Sequence, residues 1–269
     1  MSFNTIETSN YSASPAELFT FTRGAEVWRY TDSDADISIG GYLYLSLQIS
    51  RSAIEHTVEM SRNPINITVI KDCPMLEPFK SAPTSDVTLV SIHKIHNGLS
   101  EMLVTWLGRM TNVKFGETEA SLSCEPTYTS LKRAALRRRY QTGCPHVLYS
   151  QQCGANRAAY QVIAISAGIA GLALTSGTFG GFPNGYFAGG YIEITLGNIQ
   201  HRRAITSHTG ATITLNLPLP VGAGNSTLMA YPGCDHSLST CNTKFANEVN
   251  FGGQPFYRTQ NPMNGTPIF

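Results

Sequence analysis

Hydrophobic and polar positions alternate with a period of two over much of the chain, the pattern of strands with one buried face. Val27 to Thr31 and Ile37 to Ile49 show it first, the latter around Tyr42, Leu43, Tyr44, Leu45 and Leu47. Glu55 to Met60, Ile65 to Ile70, Val87 to Ile95 and Met102 to Phe115 continue it. Asn-Pro, Cys-Pro and Asn-Gly turns separate these runs, which predicts antiparallel strands in a small barrel. Residues 1–23 read as a polar lead-in, with one helical turn over Ser12 to Glu17.

Further along, Tyr160 to Ser166, Gly168 to Gly177, Tyr191 to Leu196, Arg203 to His208 and Ala211 to Leu217 read as a second set of strands, and Pro218-Leu-Pro and Gly222-Ala-Gly turn the chain back through Ser226 to Tyr231 toward Cys234. The tail from Phe251 through Pro262 to Pro267 reads as extended and irregular. The expected class is mainly β, with two tandem antiparallel β-barrel-like domains and an irregular Cys-rich C-terminal segment. The expected division is a first β domain over 1–125, a basic linker or short helix over 126–143, a second β domain over 144–232, and a C-terminal metal-binding segment over 233–269 that packs back on Cys144 and Cys153.

Composition narrows this picture. Hydrophobic residues make up 42% of the 269 and charged residues 14%, against roughly 25% charged in an average globular chain. A net charge of +1 offers no global basic field for nucleic acid, and a weakly charged surface suits packing against other subunits. Met1 to Ile6 has neither a basic nor an apolar signal region, so an unexported chain is expected. Its six cysteines are then thiols or metal ligands rather than a disulfide framework.

The uncharged stretch between Arg157 and Glu193 is broken by Ser, Thr, Gly, Pro and Asn. It does not qualify as a membrane span and reads as buried or subunit-covered strands with glycine turns. Asp32, Asp34 and Asp36 resemble half a calcium loop but lack its downstream Gly and Glu, so a solvated turn is the expectation. His93 and His96 have odd spacing, which puts them on opposite strand faces and argues against a shared metal. The dense basic run Leu131 to Tyr140, with Arg137, Arg138 and Arg139, reads as electrostatic support or subunit contact, then as a linker, and last as a DNA contact.

The cysteines carry the sharpest signal. Cys144 and Cys153 form a C-x8-C pair and Cys234 and Cys241 a C-x6-C pair, opening alike as Gly-Cys-Pro-His and Gly-Cys-Asp-His. Four thiolates suit either a structural zinc or an iron–sulfur cluster. Zinc ribbons favour tighter knuckles, which leans the spacing mildly toward the larger body, yet the spacing leaves both open. His146 and His236 are alternative ligands or second-layer donors. Pairing Cys144–Cys153 and Cys234–Cys241 as disulfides is a further alternative that needs an oxidising compartment. Cys73 and Cys124 have no close Cys or His neighbour and read as buried apolar thiols. Basic residues near Cys144 and Cys153, including Arg157, would favour the thiolate form.

Gly143-Cys-Pro-His-Val-Leu-Tyr, Phe187-Ala-Gly-Gly-Tyr-Ile, Arg203-Ala-Ile, Pro218-Leu-Pro, Tyr231-Pro-Gly-Cys-Asp-His and Cys241-x-x-Lys-Phe-x-Asn-x-x-Asn-Phe-Gly-Gly follow one another in an order that resembles the tailed-phage tail-tip hub proteins. That family includes phage lambda tail tip protein L and the hub protein of gene transfer agents. Arg29 to Ile37, Arg51 and Ser61-Arg-Asn resemble its N-terminal half. The resemblance implies a non-enzymatic virion structural protein of two tandem hub domains at the tail tip (baseplate). It implies a homotrimeric ring that joins the tail tube end to the central fibre and encloses the DNA passage. The partners implied are the distal tail protein and the central fibre or receptor-binding protein. DNA enters only as passing genome, and no stable membrane insertion is implied. It also implies a [4Fe-4S] cluster on Cys144, Cys153, Cys234 and Cys241, with structural zinc as the alternative. The competing functions are a tail-associated cell-wall hydrolase and a zinc-stabilised binding module that touches DNA through Arg137 to Arg139.

Overall fold

Pro15–Arg23 forms a nine-residue strand, β1, in place of the expected polar lead-in. Leu18, Phe19 and Phe21 on it are fully buried. Leu18 and Ala16 face a small cluster with Ile39, Tyr44 and Ile95. Phe19 and Phe21 face the opposite way, into the larger core with Ile67, Met75, Ile92, Trp106 and Leu122. Both faces are buried, so the clean alternation that marks a one-sided strand is missing. The helical turn expected from Ser12 is overturned over Pro15 to Glu17, which are strand; 12–14 lie outside the described residues. A short helix, α1 (Phe3–Glu7), precedes them.

The computed structural model describes residues 3–9, 15–55, 63–81, 85–96, 101–132, 140–165, 168–197, 199–224 and 226–256. Most of the basic run at 131–140, including Arg137 to Arg139, and most of the expected strand at Glu55 to Met60 lie outside them. The chain divides into two compact units, Met1–Ala134 with Gly197–Ile199, and Ala135–Leu196 with Gln200–Phe269.

The first unit holds β1, β2 (Glu26–Thr31), β3 (Ile37–Ile39), β4 (Tyr42–Ser46), β5 (Ile49–Arg51), β6 (Ile65–Ile70), β7 (Leu89–His96), β8 (Leu103–Phe115) and β9 (Glu119–Pro126), with a second short helix, α2 (Glu77–Ser81), between β6 and β7. The single strand expected over Ile37 to Ile49 is instead three short ones. Gly40 and Gly41, with φ of 60° and 79°, turn the chain between β3 and β4, a conformation that glycine adopts without strain. The sheet order is β3-β4-β2-β1-β7-β8-β9-β6-β5; the β2–β4 pair is parallel. The long β7–β8–β9 ladders are antiparallel and carry register shifts at Ile92/His93 and Met110/Asn112.

The second unit holds β10 (Val162–Ile165), β11 (Gly168–Ala170), β12 (Ala173–Thr175), β13 (Tyr191–Leu196), β14 (Ile199–Thr209), β15 (Thr212–Leu215) and β16 (Thr227–Tyr231) in the order β10-β16-β13-β14-β15-β12-β11. Chain connectivity forces both sheets to curl. Strands lie about 4.8 Å apart, so a flat sheet would put β10 and β11 roughly 29 Å apart, and β4 and β5 roughly 34 Å apart. Each pair is joined by two residues, 166–167 and Leu47–Gln48, a link that reaches no more than about 11 Å. The edges must therefore approach each other, as in an open barrel.

Strand structure does not extend over 179–190, against expectation. Glycines and Pro183 break the ladder, and Gly177–Gly181 is a 3-10 turn. Phe179 and Phe187, both fully buried, plug the second core with ring centroids 5.2 Å apart. Gly190 has no alternative residue, since a Cβ there would lie 2.0 Å from the Tyr231 carbonyl oxygen.

In the aspartate turn, the Asp32 carboxylate accepts from the Glu17 N–H (2.7 Å) and that of Asp36 from the Ser46 N–H (2.7 Å). Those carboxylates tie the turn to neighbouring strands. His96 Nε2 lies 2.6 Å from Glu7 and its ring 4.8 Å from Phe3, so it anchors α1. No helix among the described residues is long and apolar enough to cross a membrane.

Candidate metal centre

Four segments of the second unit supply the cysteines. Cys144 enters from an irregular stretch whose Cys144 N–H donates to the His236 carbonyl (2.8 Å), which ties the first cysteine pair to the second. Ser150 caps the turn that carries Cys153: its hydroxyl accepts from Cys153 N (3.3 Å) and its carbonyl from Gly154 N (2.9 Å). Cys234 follows β16 directly. The approach is so close that a Cβ on Gly233 would sit 2.0 Å from the Ala188 carbonyl oxygen.

Cys241 sits on an eight-residue helix, α3 (Leu238–Phe245), within the otherwise irregular C-terminal segment. Asp235 and Ser237 start this helix. The Ser237 hydroxyl accepts from Thr240 N (3.1 Å), and Asp235 Oδ1 accepts from both Ser237 N and its hydroxyl, an N-cap arrangement. Ala246 ends it in the left-handed region, with Asn247 N donating to Cys241 O at 3.0 Å.

All four cysteines, with His146, Leu148, His236, Phe245, Asn247 and Asn250, line one small cavity of about 20 Å³. All four are free thiols. Among the described residues, no three His, Cys, Asp or Glu side chains stand close enough to share a single metal ion. The sulfurs border a space; they do not meet at a point.

N–H groups are aimed at these sulfurs. His236 N lies 3.3 Å from Cys234 Sγ, Gly252 N 3.4 Å from Cys144 Sγ, and Asn247 Nδ2 3.7 Å from Cys153 Sγ. Asn247 Nδ2 also donates to Cys153 O (2.5 Å), and the Cys241 thiol donates to Asn247 O (3.2 Å). Asn247 thus touches two of the four cysteines, a role that reading the sequence missed. Gly253 is constrained by backbone, since a Cβ there would lie 2.6 Å from the Thr142 carbonyl oxygen, and at Gly252 a Cβ would displace the His146 ring. The Phe251-Gly-Gly stretch is therefore needed for the backbone to pass close to Cys144.

Burial pushes the Cys234 and Cys241 thiols up, and the charges of the other cysteines and of Asp235 (at Cys234) and Glu248 (at Cys241) add to it; the His236 N–H opposes this at Cys234. As bare thiols they hold their protons, so any metal must displace them. Cys73 and Cys124 lie apart, nearly fully buried in the core of the first unit. Burial alone pushes Cys124 up to about 12.

An aromatic wall backs the site. Tyr149 packs edge-on against Tyr191, Tyr231 and Phe245, with its hydroxyl on Pro232 O (3.1 Å). Tyr160 hydrogen-bonds Phe245 O at 2.9 Å. Arg157, expected to support the thiolates, is committed elsewhere. It pairs with the buried Glu193, donates to Tyr231 Oη (3.0 Å) and lies 4.4 Å over the Tyr231 ring.

Comparison with known proteins locates this architecture. Residues 8–156 match the family described as baseplate hub protein, N-terminal attachment domain. Residues 185–261 match the family described as phage conserved hypothetical protein BR0599. An uncharacterized protein of Xylella fastidiosa (strain 9a5c) is 31% identical over 162 residues, which is 56% of this chain and 34% of that protein. The chain therefore spans about a third of that relative's length. A chain in the virion of a native gene transfer agent particle is similar in fold, with a TM-score of 0.83 at 19% identity, covering 99% of this chain and 96% of that one.

Proposed function

The chain belongs to the baseplate hub protein family through its N-terminal attachment domain, and from that premise we propose a homotrimeric ring at the end of a phage tail, clamped by a [4Fe-4S] cluster. Membership makes the chain a structural protein of the virion's tail, at the baseplate hub. The finer reading is that the ring joins the tail tube end to the central fibre, encloses the DNA passage and has no enzymatic role. Exposed apolar side chains support covering by neighbouring subunits or other tail proteins: Leu43, Leu45, Leu103 and Leu107 in the first unit, and Ile163 and Ile165 in the second.

The observation that carries the cluster is the gathering of Cys144, Cys153, Cys234 and Cys241 around one space. Four cysteines on one cavity, with N–H groups on three of the sulfurs, suit a metal–thiolate centre, and the loose C-x8-C and C-x6-C spacing leans it toward the polynuclear body. Such a group, when bound, cross-links two segments about ninety residues apart in sequence, which lowers the entropy of the unfolded chain. The chain's own residues hold the sulfurs in place: Ser150 and Ser237 cap the turns, Asn247 bridges two cysteines, and the aromatic wall shields them.

Anaerobic purification with an absorbance spectrum, iron and sulfide assays, and a solution mass tests both parts. A brown protein with about four iron and four sulfide per chain is expected, in a threefold assembly or one reached with its tail partners. A colourless protein with one zinc would overturn the cluster and keep the architecture.

A further inference from the structure

Four thiolates holding a metal centre carry negative charge, and Asp235 and Glu248 add their own beside Cys234 and Cys241. Something must offset that charge where water is partly excluded. Arg157, singled out from the sequence, does not: its charge is committed to Glu193 and Tyr231. A lysine quoted there only as part of a motif stands beside the site. Lys244, one turn beyond Cys241 on α3, is half-buried. Its ammonium group donates to Gly233 O (2.7 Å) and Tyr186 O (2.5 Å) and lies 4.5 Å over the Tyr186 ring. Gly233 O belongs to the peptide that leads into Cys234. Burial lowers the Lys244 pKa, and the nearby Cys234 and Asp235 pull it back up, so the amine and that cysteine lie within each other's field.

We infer that Lys244 is the counter-charge of the sulfur site and also the residue that positions the Gly233–Cys234 peptide. This rests on the metal-centre reading above. A long flexible cation buried at the cost of its hydration would serve no purpose in holding α3 alone, since Tyr160 and the aromatic wall already do that. The three-residue step from Cys241 to Lys244 puts both on one helix face, so the helix delivers a ligand and its neutralising charge together.

The test compares wild-type protein, purified anaerobically with its metal, against Lys244→Arg, Lys244→Gln and Lys244→Met. Gln keeps a donor without the charge; Arg keeps the charge with a different shape. Metal release into an excess of a chelator should be at least about tenfold faster for Gln and Met, and close to wild type for Arg. With iron bound, the reduction potential of the Gln and Met variants should shift to more negative values, as loss of a nearby cation requires. With zinc bound, the release rates alone carry the comparison. Release rates and potential in Gln and Met equal to wild type would overturn the proposal. If Gln and Met purify without metal, retention by Arg supports the charge and failure of Arg overturns it. A wild-type protein without metal would remove the metal-centre reading itself; metal-bound wild type with unaffected variants removes only the role of Lys244.

Discussion

The nine-stranded sheet of the first unit and the cysteine-bearing segment of the second are held in place by different means. The sheet is anchored by a large apolar core in which Phe19, Phe21, Ile67, Ile92 and Leu122 are fully buried. From Pro232 to Phe256 only Pro232, Gly233, Cys241 and Phe245 are buried, while Val249 and Phe256 are 93% and 91% exposed. That segment is laced by polar contacts instead: Cys144 N to His236 O, Gln254 N to Gln141 O, Asn247 to Cys153, and Lys244 to two carbonyls. Each such bond nets only about 0.5–1.5 kcal/mol, whereas a single buried phenylalanine contributes about 1.5–3 kcal/mol. A segment so poor in buried apolar surface depends on a cross-link, and a sheet so rich in it does not.

The widest separation between the two regions is expected from Cys234→Ser. It should remove the bound metal and open 232–256 to limited proteolysis, while the first unit stays protected; equal protection of both would count against the cross-link. Phe19→Ala should do the reverse, costing the first unit about 3–5 kcal/mol in denaturant melts and leaving metal content unchanged.

Native thiol counting sharpens the contrast. After chelation, Cys144 and Cys234 should react readily with a maleimide, whereas Cys73 and Cys124, each 1% exposed, should react only on unfolding. Arg157→Met should cost about 1–3 kcal/mol, because the buried Glu193 loses one of its two guanidinium partners while Arg202 Nε remains at 2.6 Å. The cost should fall on the second unit alone.

The smallest effect is at the α1 clasp. Hydrogen bonds from Lys94 and then His96 hold the Glu7 carboxyl below its ordinary 4.5. A depressed carboxyl contributes fully above that ordinary value and loses its contribution as the pH falls below it through the folded-state pKa. Hydrogen exchange in Phe3–Glu7 should therefore rise as the solution is acidified through that range, and Glu7→Gln should abolish the change.

Much of the strand layout was legible from alternation alone. Ile65 to Ile70 and Tyr191 to Leu196 were read at their full extent, and β8 to within a residue, since one side of each faces a core; β16 was read only as the chain's way back to Cys234. β1 escaped notice because the adjacent buried Leu18 and Phe19 break its alternation, and the Phe179 to Gly190 stretch, read within strands with glycine turns, forms turns without strand. At the sulfur site the four cysteines were nameable from their paired spacing. Asn247, Lys244 and Gly252 stood in the motif that carries the resemblance, but their roles were not legible there: an asparagine, a lysine or a glycine acquires its role only from what lies across from it.

What the amino-acid order determined by itself was local: which stretches are strands, where glycine and proline turn them, and which thiols come in pairs. The gathering of residues 144, 153, 234 and 241 around one space was decided only in three dimensions. It depends on the sheet curling until its edges approach, on β16 delivering Cys234 beside the 187–190 turn, and on α3 lying against Tyr149 and Tyr160. Those contacts join residues tens of positions apart, and periodicity, which reports only on near neighbours, carries no record of them.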